Sequence, residues 1–312
     1  MRFFRPDEEL WWEVAGACDY ATFYHTPLWH RLAAGSLWGR RDATVAAELP
    51  GGVRVIFPLL RRRRGLRPGA VEFASTFAGC YGGPIADGPI TVEDRARLYR
   101  AVASRSRDRV AVTGNPLDPA EPPESVGRRR EDATHLLELD APFDSLFAEF
   151  SKGHRSSTSK GRREGVVARM ATTLDDYRRY YTVYQAALRR WGDRASSRYP
   201  WRFFRNGQRL AARHPDRIKL WLAALADEVV AGAWIFYWGG HATYWHGASN
   251  DRAREVNAAN VLLADAIRDA TERDLRFFDF NPSGGHEGVA AFKRRFGASA
   301  VRICRWTAEE DG

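Results

Sequence analysis

Lys293 and Asp279 are the ionisable side chains whose setting first suggests chemistry. Lysines occur only at positions 152, 160, 219 and 293 in a chain that otherwise carries its positive charge on arginine. Lys293 follows Phe292 and precedes Arg294 and Arg295. An ammonium there is either one more solvated cation on a basic helix or a compact charge kept for a negative partner. Asp279 lies in the apolar run Phe277–Phe280, which opens into Asn281-Pro282-Ser283-Gly284-Gly285-His286. Strand ends that feed Gly-rich loops commonly carry reactive groups. A carboxylate at that point can orient an amine or accept its proton, or cap its own loop. Ser283 and His286 are further candidates within the loop, and Phe292 reads equally as a channel wall or as core. Tyr244, Trp245 and His246 sit on an apolar run. Alternation puts Tyr244 and His246 on one face and Trp245 on the other. His246 then reads as a base or as a satisfied core histidine.

A second group of residues suits polyanions. Arg202, Arg205, Arg209 and Arg213 recur at spacings of three and four, so on a helix they form one stripe opposite Trp201, Phe204 and Ala211. A solvated face normally mixes acids among such arginines, whereas one sign alone suits a phosphate backbone. Arg155, Lys160 and Arg163 share another basic stretch, and Arg189 and Arg190 precede Trp191-Gly192. The total is Lys+Arg 48 against Asp+Glu 39, a net charge of +9. That excess is clustered: Arg54, Arg61, Arg62, Arg63, Arg64 and Arg67 follow one another with no acid between. No nucleophile-elbow serine, metal-ligand spacing or phosphate-cradling Walker loop is present. Cys18, Cys80 and Cys304 are odd in number and far apart, which argues against a disulfide framework or a cysteine metal site. No apolar run reaches the ~20 residues of a membrane span, and Asp7, Glu8 and Glu9 stand where a signal peptide is apolar. A cytoplasmic protein is expected.

The elements that must position these residues repeat. In the first half, a helix from Pro27 to Ala34 precedes strands Thr44–Leu49 and Val53–Leu60 around Pro50-Gly51-Gly52. A helix at Val92–Ser104 and a strand at Arg109–Thr113 follow. Strand Thr134–Leu139 and a helix from Phe143 to about Lys152 open the second half. Helices Leu174–Arg190 and Pro200–Arg213 then precede strands Ile218–Ala226 and Val229–Trp238, turning at Asp227-Glu228. Strand Ala242–His246, helix Asn257–Arg273 and strand Arg276–Phe280 complete the series. Hairpins followed by a helix and a strand imply an α+β fold, a mixed sheet flanked by helices, occurring twice. The expected domains are 1–140 and 141–312.

These segments resemble the Fem (FemABX) family of tandem GNAT-like acyltransferases. Four stretches carry the likeness: Phe23-Tyr24-His25-Thr26-Pro27-Leu28-Trp29; Phe57-Pro58-Leu59-Leu60 with Tyr81-Gly82-Gly83-Pro84; His135-Leu136-Leu137-Glu138-Leu139 through Arg155, Lys160, Arg163 and Gly165-Val166; and Phe277-Phe278-Asp279-Phe280 followed by Gly288, Phe292-Lys293 and Phe296-Gly297. The resemblance implies two tandem GNAT-like domains, with the donor cleft in the second and acceptor contacts from both. It further implies transfer of an aminoacyl group from an aminoacyl-tRNA to an amine, either a peptidoglycan precursor or a small natural-product amine. By resemblance Lys293 sits at the donor channel with Asp279 close by. Phe292, Tyr244, His246, Asn257, Asn260 and Ser283 then contact the donor, and Arg155, Lys160, Arg163, Arg189 and Arg190 hold phosphates of either substrate. The arginine stripe meets the tRNA. No cofactor is expected beyond the donor. Relatives that use acyl-CoA hold its diphosphate on a Gly-rich loop where this chain reads Asp251-Arg252-Ala253-Arg254-Glu255-Val256-Asn257. An acyl-CoA-dependent N-acyltransferase and a non-catalytic RNA-binding module remain the alternatives.

Overall fold

The computed structural model describes residues 1–63, 71–77, 80–105, 109–118, 120–195 and 198–308; Arg64 and Arg67 of the first basic cluster lie outside them. The chain divides into two compact units, Met1–Thr134 with Val301–Gly312, and His135–Ala300. Against an expected boundary at Asp140, the second unit thus begins at His135, and the last strand belongs with the first.

In chain order the first unit holds β1 (Arg2–Phe4), α1 (Glu8–Ala17), α2 (Pro27–Ser36), β2 (Arg41–Asp42), β3 (Val45–Glu48), β4 (Arg54–Phe57), β5 (Leu60–Arg63), β6 (Val71–Ala74), β7 (Ile85–Ala86), α3 (Val92–Ala103) and β8 (Arg109–Thr113). Strand β9 (Arg128–Glu138) leads into the second unit. There follow α4 (Phe143–Glu149), α5 (Lys152–Arg163), β10 (Val166–Met170), α6 (Leu174–Trp191), α7 (Trp201–Arg213), β11 (Ile218–Leu225), β12 (Glu228–Trp238), β13 (His241–Ser249), α8 (Asp251–Glu255), α9 (Ala258–Thr271), β14 (Phe277–Asp279) and α10 (Glu287–Arg294). Strand β15 (Ser299–Ala308) returns to the first unit.

Within each unit a parallel strand pair brackets a helix in the chain. Strands β6 and β8 lie on either side of α3, and β13 and β14 on either side of α8 and α9. The neighbouring pairs β10–β11, β11–β12, β12–β13 and β5–β6 are antiparallel. Hairpins feeding a strand–helix–strand crossover are the repeated series that the sequence implies. The first unit's core gathers Phe57, Leu98, Tyr99, Val110 and Val112 around Trp306 from β15.

Local physics explains where elements start and stop. The helix expected from Phe143 to Lys152 breaks at Phe150, which is extended (φ −58, ψ 145). Ser151 then starts α5 by accepting the His154 amide at 3.2 Å, the usual role of an N-cap serine. The helix expected from Asn257 starts one residue later, because Asn257 is left-handed (φ 55) and so lies outside it. On one face of the strands of the second unit, Val261, Leu263 and Ile267 of α9 pack with Ile235, Phe278, Phe280 and Phe296. Burying each such side chain contributes about 1.5–3 kcal/mol. Helices α6 and α7 cover the other face. Gly207 permits the approach of α7, since a Cβ there would stand 2.3 Å from the Trp234 ring.

Candidate functional site

Strands β13 and β14 pair only from His241–Thr243 against Phe277–Asp279. Beyond that they part: β13 runs on to Ser249 while the chain leaves β14 at Asp279. Asn281 bridges the opening. It adopts φ 59, a left-handed conformation that asparagine tolerates better than most residues. Its Nδ2 donates to the Tyr244 carbonyl at 2.8 Å. Its backbone N–H donates to Asp279 Oδ1 at 2.7 Å, and its carbonyl accepts from Lys293 Nζ at 2.5 Å. The two residues expected to be catalytic therefore converge on the backbone of one residue that sequence patterns do not single out. A polar residue just past a strand end was its visible signal.

Lys293 is 4% exposed, so it is not the solvated member of a basic helix that composition also allowed. A buried ammonium must be hydrogen-bonded to be tolerated, and the Asn281 carbonyl meets part of that need. Asp279 is fully buried, with Oδ2 3.6 Å from His241 Nε2. Its bond to the Asn281 amide is the loop-capping arrangement. Residues paired across strands share a sheet face, and Asp279 pairs with Thr243 and Leu136. Phe278 and Phe280, on either side of it, enter the core with Phe296 instead. Asp279 thus points away from the face on which α10 lays Phe292 against Phe296, centroids 5.2 Å apart. The carboxylate and the ammonium are linked through the backbone of Asn281.

One sequence expectation is overturned by a β-bulge. Trp234 pairs with His246, but Ile235 pairs with Tyr244, so Trp245 is an extra residue in β13. A bulge breaks the alternation of side chains. Trp245 joins His246 on the α6/α7 face, where it packs on Phe203 and Phe236. Tyr244 instead packs against the α9 core. Tyr244 and His246 are therefore on different faces. His246 Nδ1 lies 2.9 Å from the Tyr180 hydroxyl, with Tyr184 and Tyr199 ring centroids at 5.0 and 5.8 Å. Burial pushes His246 down to about 4, leaving the imidazole neutral near pH 7. Burial also pushes the Tyr244 phenol up to about 12.

The other expected donor contacts are placed variously. Phe292 packs on His154 and Phe296 as part of the core margin. Asn260 is buried in the first turn of α9, with no hydrogen bond to Nδ2 among the described residues. At the same helix start, Gly161 of α5 faces the Val256 carbonyl, and a Cβ there would meet that oxygen at 2.8 Å. Helix α5 is thus seated against the α9 N-terminus. Ser283 is half-buried, its Oγ without a described partner, and His286 is exposed at the start of α10.

The basic candidates separate by what already holds them. Arg155 is a structural staple: it donates to the Ala148 carbonyl at 2.5 Å and to the Phe150 carbonyl, closing the end of α4. Lys160 is exposed, 3.6 Å from Glu164. Arg190 holds Asp251 at 3.1 Å and the Ser249 carbonyl at 2.8 Å. Arg163 and Arg189 are exposed. On α7, Phe203, Phe204 and Gly207 face inward, while Arg205, Arg209 and Arg213 are exposed and make no ion pair with a described residue. Arg202, on the same stripe, is half-buried.

His135 is a site residue that residue type alone does not flag. It is 3% exposed, and neither ring nitrogen has a hydrogen-bond partner among the described residues. Its carbonyl accepts the Phe280 amide at 2.9 Å. Burial lowers its proton affinity, and the charges of Lys293 and Arg294 lower it further. No cluster of three or more potential metal ligands occurs among the described residues, and no described helix is long and apolar enough to cross a membrane.

Residues 148–294 match the model of the acetyltransferase (GNAT) domain. That match lies within the second unit. No curated protein matches the chain. Among solved structures, that of FemX superposes with a TM-score of 0.68 at 12% identity, covering 97% of each chain. The C-terminal domain of a putative lysylphosphatidylglycerol synthetase from Agrobacterium fabrum gives 0.64 at 13% identity, covering 97% of this chain and 91% of that one. A tandem GNAT protein from the clavulanic acid biosynthesis pathway gives 0.55 at 14% identity, covering 100% and 99%. At such identities the likeness is one of fold: tandem GNAT-like, as the sequence motifs imply.

Proposed function

We propose that this protein forms an amide by moving an aminoacyl group from an aminoacyl-tRNA to an amine, without ATP, in the cytoplasm. The ester is already activated, so what the protein must supply is orientation, charge stabilisation and release of the leaving hydroxyl. A neutral amine attacks the ester carbonyl, the tetrahedral oxyanion is stabilised by Lys293, and the C–O bond to the tRNA breaks as the proton given up by the amine passes to the departing ribose oxygen, leaving the amide and a free tRNA hydroxyl. Asp279 acts as a positioning residue by fixing the Asn281 backbone on which Lys293 rests. Residues 135–300 contain no cysteine, which supports direct transfer over a thioester intermediate on this unit. The acceptor is a peptidoglycan precursor or a small natural-product amine, and Arg163 and Arg189 are the exposed cations left to hold its acidic groups.

The observation that carries the choice of donor is the packing at α9. A GNAT enzyme holding a diphosphate at this helix start needs open backbone amides. Here Gly161 of α5 is seated there, Ala258 is fully buried and Asn257 stands where a glycine cradle would be. The exposed arginines of α7 supply a surface for a larger polyanion. A second reading, acyl-CoA-dependent N-acylation, is favoured by the acetyltransferase domain model itself. The test incubates the protein and an amine panel with bulk charged tRNA, with and without RNase, and in parallel with labelled acetyl-CoA. RNase-sensitive amide formation supports the proposal. RNase-resistant use of acetyl-CoA replaces it with the second reading, and RNA binding without product reduces the chain to a binding module.

A further inference from the structure

We propose that Tyr180 fixes His246 as the Nε2–H tautomer, and that this N–H donates to the carbonyl oxygen of the acyl donor. The inference deepens the function proposed above and rests on it.

The tautomer follows from counting protons around Tyr180. Its hydroxyl is fully buried, and its hydrogen-bond partner among the described residues is His246 Nδ1 at 2.9 Å. A phenol has a single proton to give. A buried O–H must find an acceptor, and with no other one among the described residues that proton goes to Nδ1. A neutral imidazole whose Nδ1 accepts must carry its own proton on Nε2. The ring stays neutral because it is enclosed by aromatic side chains: Tyr180 and Tyr184 from α6, Tyr199 before α7, and Trp245 beside it on β13. No charged side chain shifts its titration; burial alone does. No described residue bonds Nε2, and His246 is half-buried, so the ring is not sealed into the core.

Position completes the argument. The Trp245 bulge turns His246 onto the face opposite Tyr244, just past the point where β14 has left β13. The adjoining backbone is held open by Asn281 on the Tyr244 carbonyl. A neutral N–H on that face, past the end of β14, stabilises a developing oxyanion without putting a second cation near an amine that must stay uncharged to attack.

The test reads the tautomer first. In histidine 15N-labelled protein, long-range 1H–15N correlations are expected to show an unprotonated Nδ1 and a protonated Nε2 from pH 5.5 to 8, with Tyr180→Phe mixing the tautomers. An Nδ1–H ring, or a titration midpoint near the ordinary histidine value, overturns the assignment. The second readout is transfer. His246→Gln, which keeps an N–H, is expected to stay within about fivefold of wild type, whereas His246→Ala loses about 10- to 100-fold in kcat with little change in KM. Equal turnover by the alanine variant overturns the donor role. If the wild-type protein transfers nothing, the proposed function fails, and the NMR result still decides the tautomer.

Discussion

Replacing Lys293 by methionine separates the chemical role of the ammonium from its structural one. The side chain is 4% exposed and its Nζ donates to the Asn281 carbonyl at 2.5 Å. Methionine keeps most of the volume and removes the charge. On the structural side, a hydrogen bond from a charged donor contributes about 1.5–3 kcal/mol. Removing a buried ammonium also removes its desolvation penalty, which is of similar size. The two nearly cancel, so the melting temperature is expected to move by only a few degrees. On the chemical side, deleting one preorganised donor to an oxyanion typically costs about 10²–10³ in kcat, or about 2.7–4 kcal/mol. The expected variant is therefore folded, binds substrates with KM within about threefold of wild type, and turns over at least ~100-fold more slowly. Lys293→Arg is expected to be impaired as well, because a planar guanidinium does not fit a site built for a compact ammonium. Calorimetry and steady-state transfer assays on the same preparations give both numbers. Wild-type kcat in a well-folded Lys293→Met protein refutes the reasoning, as does a loss confined to KM.

Three further outcomes are expected. Changing Arg205, Arg209 and Arg213 to Glu should weaken tRNA binding and make the slope of log K against log salt less steep by about 2–3, one unit or slightly less per lost phosphate contact; an unchanged slope in anisotropy titrations removes α7 from the interface. Stability should fall as pH drops from about 6.5 to 4. Burial holds His25 and His154 at about 4 in the folded chain, so the unfolded chain binds more protons in that window. Each contributes up to about 3 kcal/mol, and denaturant midpoints that do not move between pH 7 and 5 contradict this. Gly207→Val should lower stability by more than about 2 kcal/mol, since even a Cβ would meet Trp234 at 2.3 Å; a melting curve that overlays wild type would show that α7 can shift freely.

Much of this architecture is legible in residue patterns. The stripe on α7 and the strands β11 and β12 follow from period, and the turn between β3 and β4 follows from Gly51 and Gly52, which adopt φ 83 and 81. What period cannot show is the bulge at Trp245, because the register shift depends on how β12 pairs, not on β13's own residues. Helix α1 escapes its own sequence pattern although Asp7 caps it, accepting the Leu10 amide at 2.8 Å. Strand β15 escapes because its alternation mixes arginines with Val301, Ile303 and Trp306. At the site, residue type points to Lys293 and Asp279, but only tertiary packing shows that Asn281 joins them and that His135 is buried with its carbonyl on the Phe280 amide. Arg155 looks like a phosphate ligand in sequence; its guanidinium is committed to backbone carbonyls that only the break at Phe150 exposes.

The most direct measurement is a single-turnover rapid-quench experiment with excess protein, tRNA charged with 14C-labelled amino acids, and an acceptor amine, with no ATP present. Direct transfer requires that label leave the tRNA and appear in an alkali-stable amide at the same rate, with none held on the protein at any time. Label accumulating on the protein before the amide forms, or released only as free amino acid, contradicts it.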